Sequence, residues 1–108
     1  MRTWRVILLL LTIVVSYLAL TPAPPPSLDF GWDKVNHVLA FGALGFSACL
    51  SCPASRRGRV LLLFALLAYG GLIEVLQQFV PGRTGEWGDL LADSIGIACG
   101  AVLAAGRI

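Results

Sequence analysis

The chain has 108 residues, of which 57% are hydrophobic and only 13% are charged. Soluble domains carry about 25% charged residues, so this composition, with a mean hydropathy of +0.84, excludes an ordinary soluble fold. The formal net charge is only +2, and the sequence predicts no nucleic-acid partner. The composition therefore favours an integral membrane protein with a single domain.

Four apolar stretches follow one another, and with its flanking residues each can cross about 30 Å of hydrocarbon as a helix, the first and last being marginal in length. Spanning strands would need alternating apolar and polar positions, which these stretches lack. The sequence predicts an all-α membrane protein with four transmembrane helices in an antiparallel up-down bundle. The predicted helices are 4–21, 34–52, 60–80 and 89–106, within one transmembrane domain 1–108 that has a Pro-rich outer loop at 22–33.

The first apolar stretch has a second interpretation. Arg2 and Arg5 before an apolar run, with small residues at Ala19 and Ala23, also resemble a secretory signal and its cleavage site. The prolines that follow fit a helix stop and an extended segment equally well. We expect the segment to stay as a membrane helix, and its cleavage would leave the topology of the other three unchanged.

Basic residues indicate the orientation of the helices. Six of the eight Lys and Arg residues precede the first apolar stretch, lie between the second and third stretches, or follow the fourth. The other two connections hold only Lys34 and Arg83. Because cytoplasmic loops of membrane proteins carry the excess of basic residues, both termini are predicted in the cytoplasm.

The three cysteines then fall in the cytoplasmic half of the bundle, where thiols stay reduced. Cys49 and Cys52 have CxxC spacing, but there is neither a βαβ pattern around them nor a second pair of metal ligands. We therefore expect buried fillers, with no disulfide.

Polar residues within the apolar stretches are the strongest functional signal. Glu74, Gln77 and Gln78 lie in the third predicted helix, and a carboxyl group in such a place is expensive unless it has partners. His37 near the start of the second helix, and Asp89 and Asp93 near the start of the fourth, offer partners at matching depth. A shared polar cluster on the outer side of the bundle is predicted.

The fourth helix shows which face carries its carboxylates. Asp89, Asp93, Gly96 and Gly100 recur at helical spacing, so they form one stripe. A GxxxG spacing lets two helix backbones approach closely. The carboxylates are thus predicted to face the same neighbour as the glycines, and the short connection to the third helix favours packing of this face within the monomer.

Three segments together resemble one family. The segments are DKVNHVLAF from Asp33, IEVLQQFVPGR ending at Arg83, and DLLADSIG from Asp89 with Gly100 beyond it. Their order and spacing are similar to the DK..H...F, E..Q...pgR and D.laN..G...G signatures of VanZ-like membrane proteins. Asp93 stands where that family usually has Asn. The resemblance implies a four-helix protein of the bacterial cytoplasmic (inner) membrane, from a family linked to low-level teicoplanin resistance.

Three functions remain open at this point, besides transport through an oligomer. The first is binding of an envelope lipid headgroup, a lipid-linked precursor or a lipoglycopeptide; the second is a structural clasp between helices. The third is a lipid-phosphate hydrolase or transferase with His37 as the base and Ser94 as a possible hydroxyl. The predicted ligand-binding residues are Asp33, Lys34, His37, Glu74, Gln77, Gln78, Arg83, Asp89 and Asp93. No cofactor and no metal is expected, membrane lipids are the expected partners, and the sequence leaves the oligomeric state undecided.

Overall fold

The computed structural model describes residues 2–22, 33–81 and 87–107, and these parts of the chain form α-helices without any strand. The helices are α1 (Arg2–Leu20), α2 (Asp33–Ser51), α3 (Arg56–Gln77) and α4 (Trp87–Ala105). The predicted all-helical class is confirmed. Within the described residues, α1, α3 and α4 are long and apolar enough to cross a membrane.

Helix α2 falls below the same criteria of apolar composition. Its first two turns carry Lys34, Asn36 and His37, and its later turns supply the core residues Phe41 and Leu44. It contacts α1, α3 and α4, so much of its surface meets protein. A helix enclosed in this way does not need an apolar surface on every side. That α2 also spans the membrane stays a prediction.

The apolar run predicts the third helix at 60–80, but α3 begins earlier, at Arg56. A capping residue before Arg56 explains the earlier start. The hydroxyl oxygen of Ser55 accepts a hydrogen bond from the backbone N–H of Gly58 at 2.9 Å, which satisfies one of the donors exposed at a helix start. At the other end the backbone N–H of Gln78 bonds to the carbonyl of Val75, in the tighter pattern that often closes a helix. Hydropathy alone detects neither feature.

Helices α2 and α4 run in the same direction and share the most extensive contact in the bundle. The starts of both helices meet where Lys34 approaches Asp89, and their later turns meet where Leu50 packs with Ala104. Since α3 joins the end of α2 to the start of α4, it runs antiparallel to both helices. The predicted glycine stripe of α4 therefore faces α2, two helices back along the chain.

Glycines bring the two backbones into contact. A Cβ atom added at Gly96 would overlap the carbonyl oxygen of Val38, and one added at Gly100 would overlap that of Gly42. Any side chain at these positions would therefore push α4 away from α2. The backbone contact fixes the spacing of the two helices that carry most of the polar residues.

Helix α1 is held at the edge of the bundle and has no buried residue of its own. Leu8 and Leu11 pack against the core, and the Tyr69 hydroxyl of α3 bonds to the Ser16 hydroxyl and donates to the carbonyl of Thr12 at 3.2 Å. Its other faces expose large apolar side chains, as expected for a helix in contact with lipid.

The glycine contact yields a stability prediction. Gly100→Val should destabilise the protein by about 1–3 kcal/mol or more, since overpacking at a backbone contact cannot relax by moving a flexible side chain. Gly71→Val is the matched control, because a Cβ atom at Gly71 meets nothing within 4 Å. Denaturation in detergent micelles measures both variants. Equal losses of stability would contradict the proposed role of the α2–α4 contact.

Candidate functional site

Five polar side chains from three helices meet at one end of the bundle, where α2 and α4 begin, and we call them the polar cluster. Its members are Lys34 and His37 of α2, Glu74 of α3, and Asp89 and Asp93 of α4. Side chains at these depths come together because α2 and α4 run in parallel and α3 ends beside their first turns. The sequence predicts this grouping, and the structure brings these five residues together.

His37 lies between two carboxylates of α4. Its Nδ1 atom is 2.7 Å from Oδ1 of Asp93, and its Nε2 atom is 3.6 Å from Oδ2 of Asp89. The two aspartates are one helical turn apart, so they can flank a single imidazole ring. The ring is 10% exposed and Asp93 is fully buried. The contact with Asp93 orients the imidazole, and Asp89 lies near its other nitrogen.

Lys34 forms the outermost part of the polar cluster. Its Nζ atom lies 2.7 Å from Oδ1 of Asp89, and its side chain is 29% exposed while that of Asp89 is 1% exposed. Gly88 leaves space for the Lys34 side chain, because a Cβ atom at Gly88 would lie 3.3 Å from Cε of Lys34. Sequence reasoning missed this role of Gly88, whose only signal is its position directly before Asp89.

Glu74 completes the cluster from α3 and is 1% exposed. Ligand atoms of His37, Glu74 and Asp93 all lie within 4.8 Å of one another. Gly70, one turn before Glu74, gives the Asp93 carboxylate room against α3, because a Cβ atom there would lie 2.7 Å from Oδ2 of Asp93. The glycine and the aspartate are therefore complementary in shape.

The two glutamines predicted with Glu74 have different surroundings. Gln77 is 4% exposed, and its Nε2 atom donates to the carbonyl of Ala19 at 2.9 Å, which ties α3 to the end of α1. Gln78 is exposed and follows the last residue of α3. The side chain of Asp33 and the whole of Arg83 lie outside the described residues. Their predicted roles stay predictions.

Several buried oxygens at this end of the bundle accept no hydrogen bond from the described residues. They are Gln77 Oε1, Asp89 Oδ2 and Asp93 Oδ2. A buried acceptor left without a donor costs about 1–3 kcal/mol, and more when it is charged. The structure thus gathers more acceptor capacity than its own described donors use. Such a site can receive hydrogen-bond donors or a cation.

Ser94, the hydroxyl considered for catalysis, is engaged within its own helix. Its Oγ atom donates to the carbonyl of Leu90 at 2.9 Å, a common arrangement for serine inside a helix. This bond directs the hydroxyl hydrogen to the backbone of its own helix. The geometry therefore gives Ser94 no evident role as a nucleophile.

A comparison with known families extends over nearly the entire chain. The profile described as VanZ/LLP1 matches residues 2–107, which include all the helices and all the residues of the polar cluster. Searches among curated proteins and among solved structures gave no significant match. The resemblance carried by the three sequence motifs is confirmed: the chain belongs to the VanZ/LLP1 family.

Proposed function

We propose that the polar cluster, with Gln77 one turn beyond Glu74, binds the polar group of a lipid-linked envelope precursor or of a lipoglycopeptide. The VanZ family is linked to glycopeptide resistance, so such binding would contribute to tolerance of teicoplanin-type compounds. The protein would act in the bacterial cytoplasmic membrane, whose lipids are its immediate surroundings. This function needs no step of catalysis.

One observation carries the proposal: acceptor oxygens of Gln77, Asp89 and Asp93 are buried and accept no hydrogen bond from the described residues. Sugar hydroxyls, amides and ammonium groups are the donors that such oxygens accept. Envelope precursors carry these donors next to a lipid chain. A headgroup of this kind would satisfy the acceptors while its lipid tail stays beside the apolar faces of the helices.

Lys34 supports access from the membrane surface. Its side chain is the most exposed in the polar cluster, and the other members lie deeper. Its ammonium group donates to Asp89 and carries a positive charge that attracts a ligand phosphate. A phosphate of a lipid-linked precursor would meet Lys34 first, with the donor groups of the headgroup beyond it.

The predicted orientation puts this access on the outer side of the membrane. Arg56, Arg57 and Arg59 lie at the opposite end of the bundle from Lys34, as the positive-inside rule requires for a cytoplasmic connection. Both termini would then be cytoplasmic. The polar cluster would face the compartment in which wall precursors and lipoglycopeptides are found.

Lipid retention tests the binding site. In native mass spectrometry against a panel of envelope lipids, Asp89→Asn should lower retention of a selected lipid by about tenfold to a hundredfold, as for a lost hydrogen bond to a charged group. Gln77→Ala should also reduce retention, whereas Gln78→Ala, its exposed neighbour, should not. If all variants retain lipid like the wild type, the polar cluster is not the binding site.

A fusion experiment tests the orientation. A fluorescent protein that matures only in the cytoplasm, fused after residue 108, should fluoresce, and alkaline phosphatase at the same place should be inactive. The opposite pattern would place the polar cluster on the cytoplasmic side and exclude an encounter with external lipoglycopeptides.

The hydrogen bond between His37 and Asp93 favours a second candidate, a lipid-phosphate hydrolase or transferase. A carboxylate that holds an imidazole in one orientation is a common feature of general bases. In this function His37 would take a proton from water or from an acceptor hydroxyl. A change in the mass of the bound lipid, abolished in His37→Gln, distinguishes catalysis from binding alone.

The ion pair between Lys34 and Asp89 is also what a structural clasp requires. Polar contacts between membrane helices contribute about 0.6 kcal/mol on average, so a double-mutant cycle on Lys34→Met and Asp89→Asn should give a coupling energy near that value. Under the clasp alone, both variants lose stability but show no change in lipid retention at matched folded protein. A change in retention would instead support the binding site.

A further inference from the structure

We propose that His37, Glu74 and Asp93 bind a divalent transition-metal ion between α2, α3 and α4. Such a site was not expected from the sequence, because its one histidine and scattered carboxylates form no recognised metal motif. The inference does not rest on the headgroup proposed above, since metal binding can be measured without added lipid.

The distances between the candidate ligands are close to those of a metal site. Atoms bound to one metal at about 2.0–2.2 Å lie at most roughly 4.4 Å apart. The ligand atoms of His37, Glu74 and Asp93 all lie within 4.8 Å of one another. A shift of a few tenths of an ångström among these side chains would bring all three within that limit.

Asp89 supplies the independent support expected around a metal-bound histidine. An imidazole bound to a metal through one nitrogen usually donates its other N–H to a carboxylate or carbonyl. With Nδ1 of His37 on the side of Asp93, the opposite nitrogen, Nε2, lies 3.6 Å from Oδ2 of Asp89. That oxygen is buried and accepts no hydrogen bond from the described residues. It is placed to receive the Nε2 proton of a histidine that binds metal through Nδ1.

The charges at the site also favour a cation. Glu74, Asp89 and Asp93 are each at most 1% exposed, and among the described residues the basic groups beside them are Lys34 and His37. Lys34 is engaged with Asp89, at the outer part of the cluster. A buried carboxylate in a membrane bundle is stabilised when a cation lies beside it. A divalent ion bound by Asp93 would satisfy its Oδ2 atom, which accepts no hydrogen bond from the described residues.

The chemistry of the ligands indicates which metal to test. One imidazole nitrogen with two carboxylates suits Mn²⁺ and Zn²⁺, whereas Mg²⁺ prefers oxygen ligands and keeps most of its water. We therefore expect Mn²⁺ and Zn²⁺ to bind more tightly than Mg²⁺. The remaining coordination positions would be filled by water or by an oxygen of a bound ligand.

The test uses the full chain without a polyhistidine tag, purified in detergent, stripped with a chelator and then supplied with Mn²⁺ or Zn²⁺. Elemental mass spectrometry after desalting should find about one ion per chain, the stoichiometry of a single closed set of ligands. Glu74→Gln and Asp93→Asn should each weaken binding at least about tenfold, the smallest loss usual for residues around a metal. Gln78→Ala, exposed on the same side of the membrane, should bind like the wild type.

A wild-type protein without bound metal, or a Glu74→Gln variant that binds as tightly as the wild type, would overturn the proposal. If the variants do not fold, pulsed electron paramagnetic resonance of Mn²⁺ in the wild type decides. The single histidine of the chain must then give a nitrogen coupling. Bound Mn²⁺ without that coupling would place the ion elsewhere. Lipid retention is measured separately, so either proposal can fail without the other.

Discussion

The contact between the backbones of α2 and α4 is the constraint on which the site depends. Gly96 and Gly100 let α4 approach α2 until a Cβ atom would overlap carbonyl oxygens. The two helices run in parallel, so this close approach continues to their first turns. There it sets Lys34 against Asp89 and His37 against Asp93. A larger residue at either glycine would push the two helices apart and weaken these polar contacts.

The polar cluster combines features that structural contacts alone explain incompletely. The Lys34–Asp89 ion pair and the Gln77 bond to α1 do hold helices together. Interhelical bonds of this kind contribute little individually, whereas buried carboxylates are expensive. Glu74 and Asp93 are nevertheless buried beside an oriented histidine. A headgroup donor or a metal ion at these carboxylates would offset some of this cost.

Periodicity in the sequence predicts much of this arrangement. The stripe of Asp89, Asp93, Gly96 and Gly100 follows from helical spacing, and the matching depths of His37 and Glu74 follow from the apolar stretches. Two features could not be predicted in this way. The short connections favour contacts between consecutive helices, whereas the most extensive contact joins α2 and α4, because backbone approach depends on small residues on both partners.

The second feature is the rotation of each helix about its axis. Neighbouring residues on a helix differ by about 100° in direction, so Gln77 is buried and Gln78 is exposed although both have the same chemistry. The same rotation puts Gly70 against Asp93 and leaves Gly71 in open space. The hydropathy of α3 does not distinguish the two members of each pair, since lipid and protein are both apolar surroundings. Only the packed bundle shows which member faces the polar cluster.

The central claim is that the polar cluster binds a ligand, and the single histidine of the chain allows a direct test. Nitrogen NMR of the protein labelled with ¹⁵N-histidine reports on the two ring nitrogens of His37 alone. The account predicts that both resonances shift when an envelope lipid extract is added to the purified protein, and that the shift is lost in Asp89→Asn. Resonances that stay unchanged at saturating lipid, in folded protein, would show that the ring lies in a closed structural contact and would contradict the account.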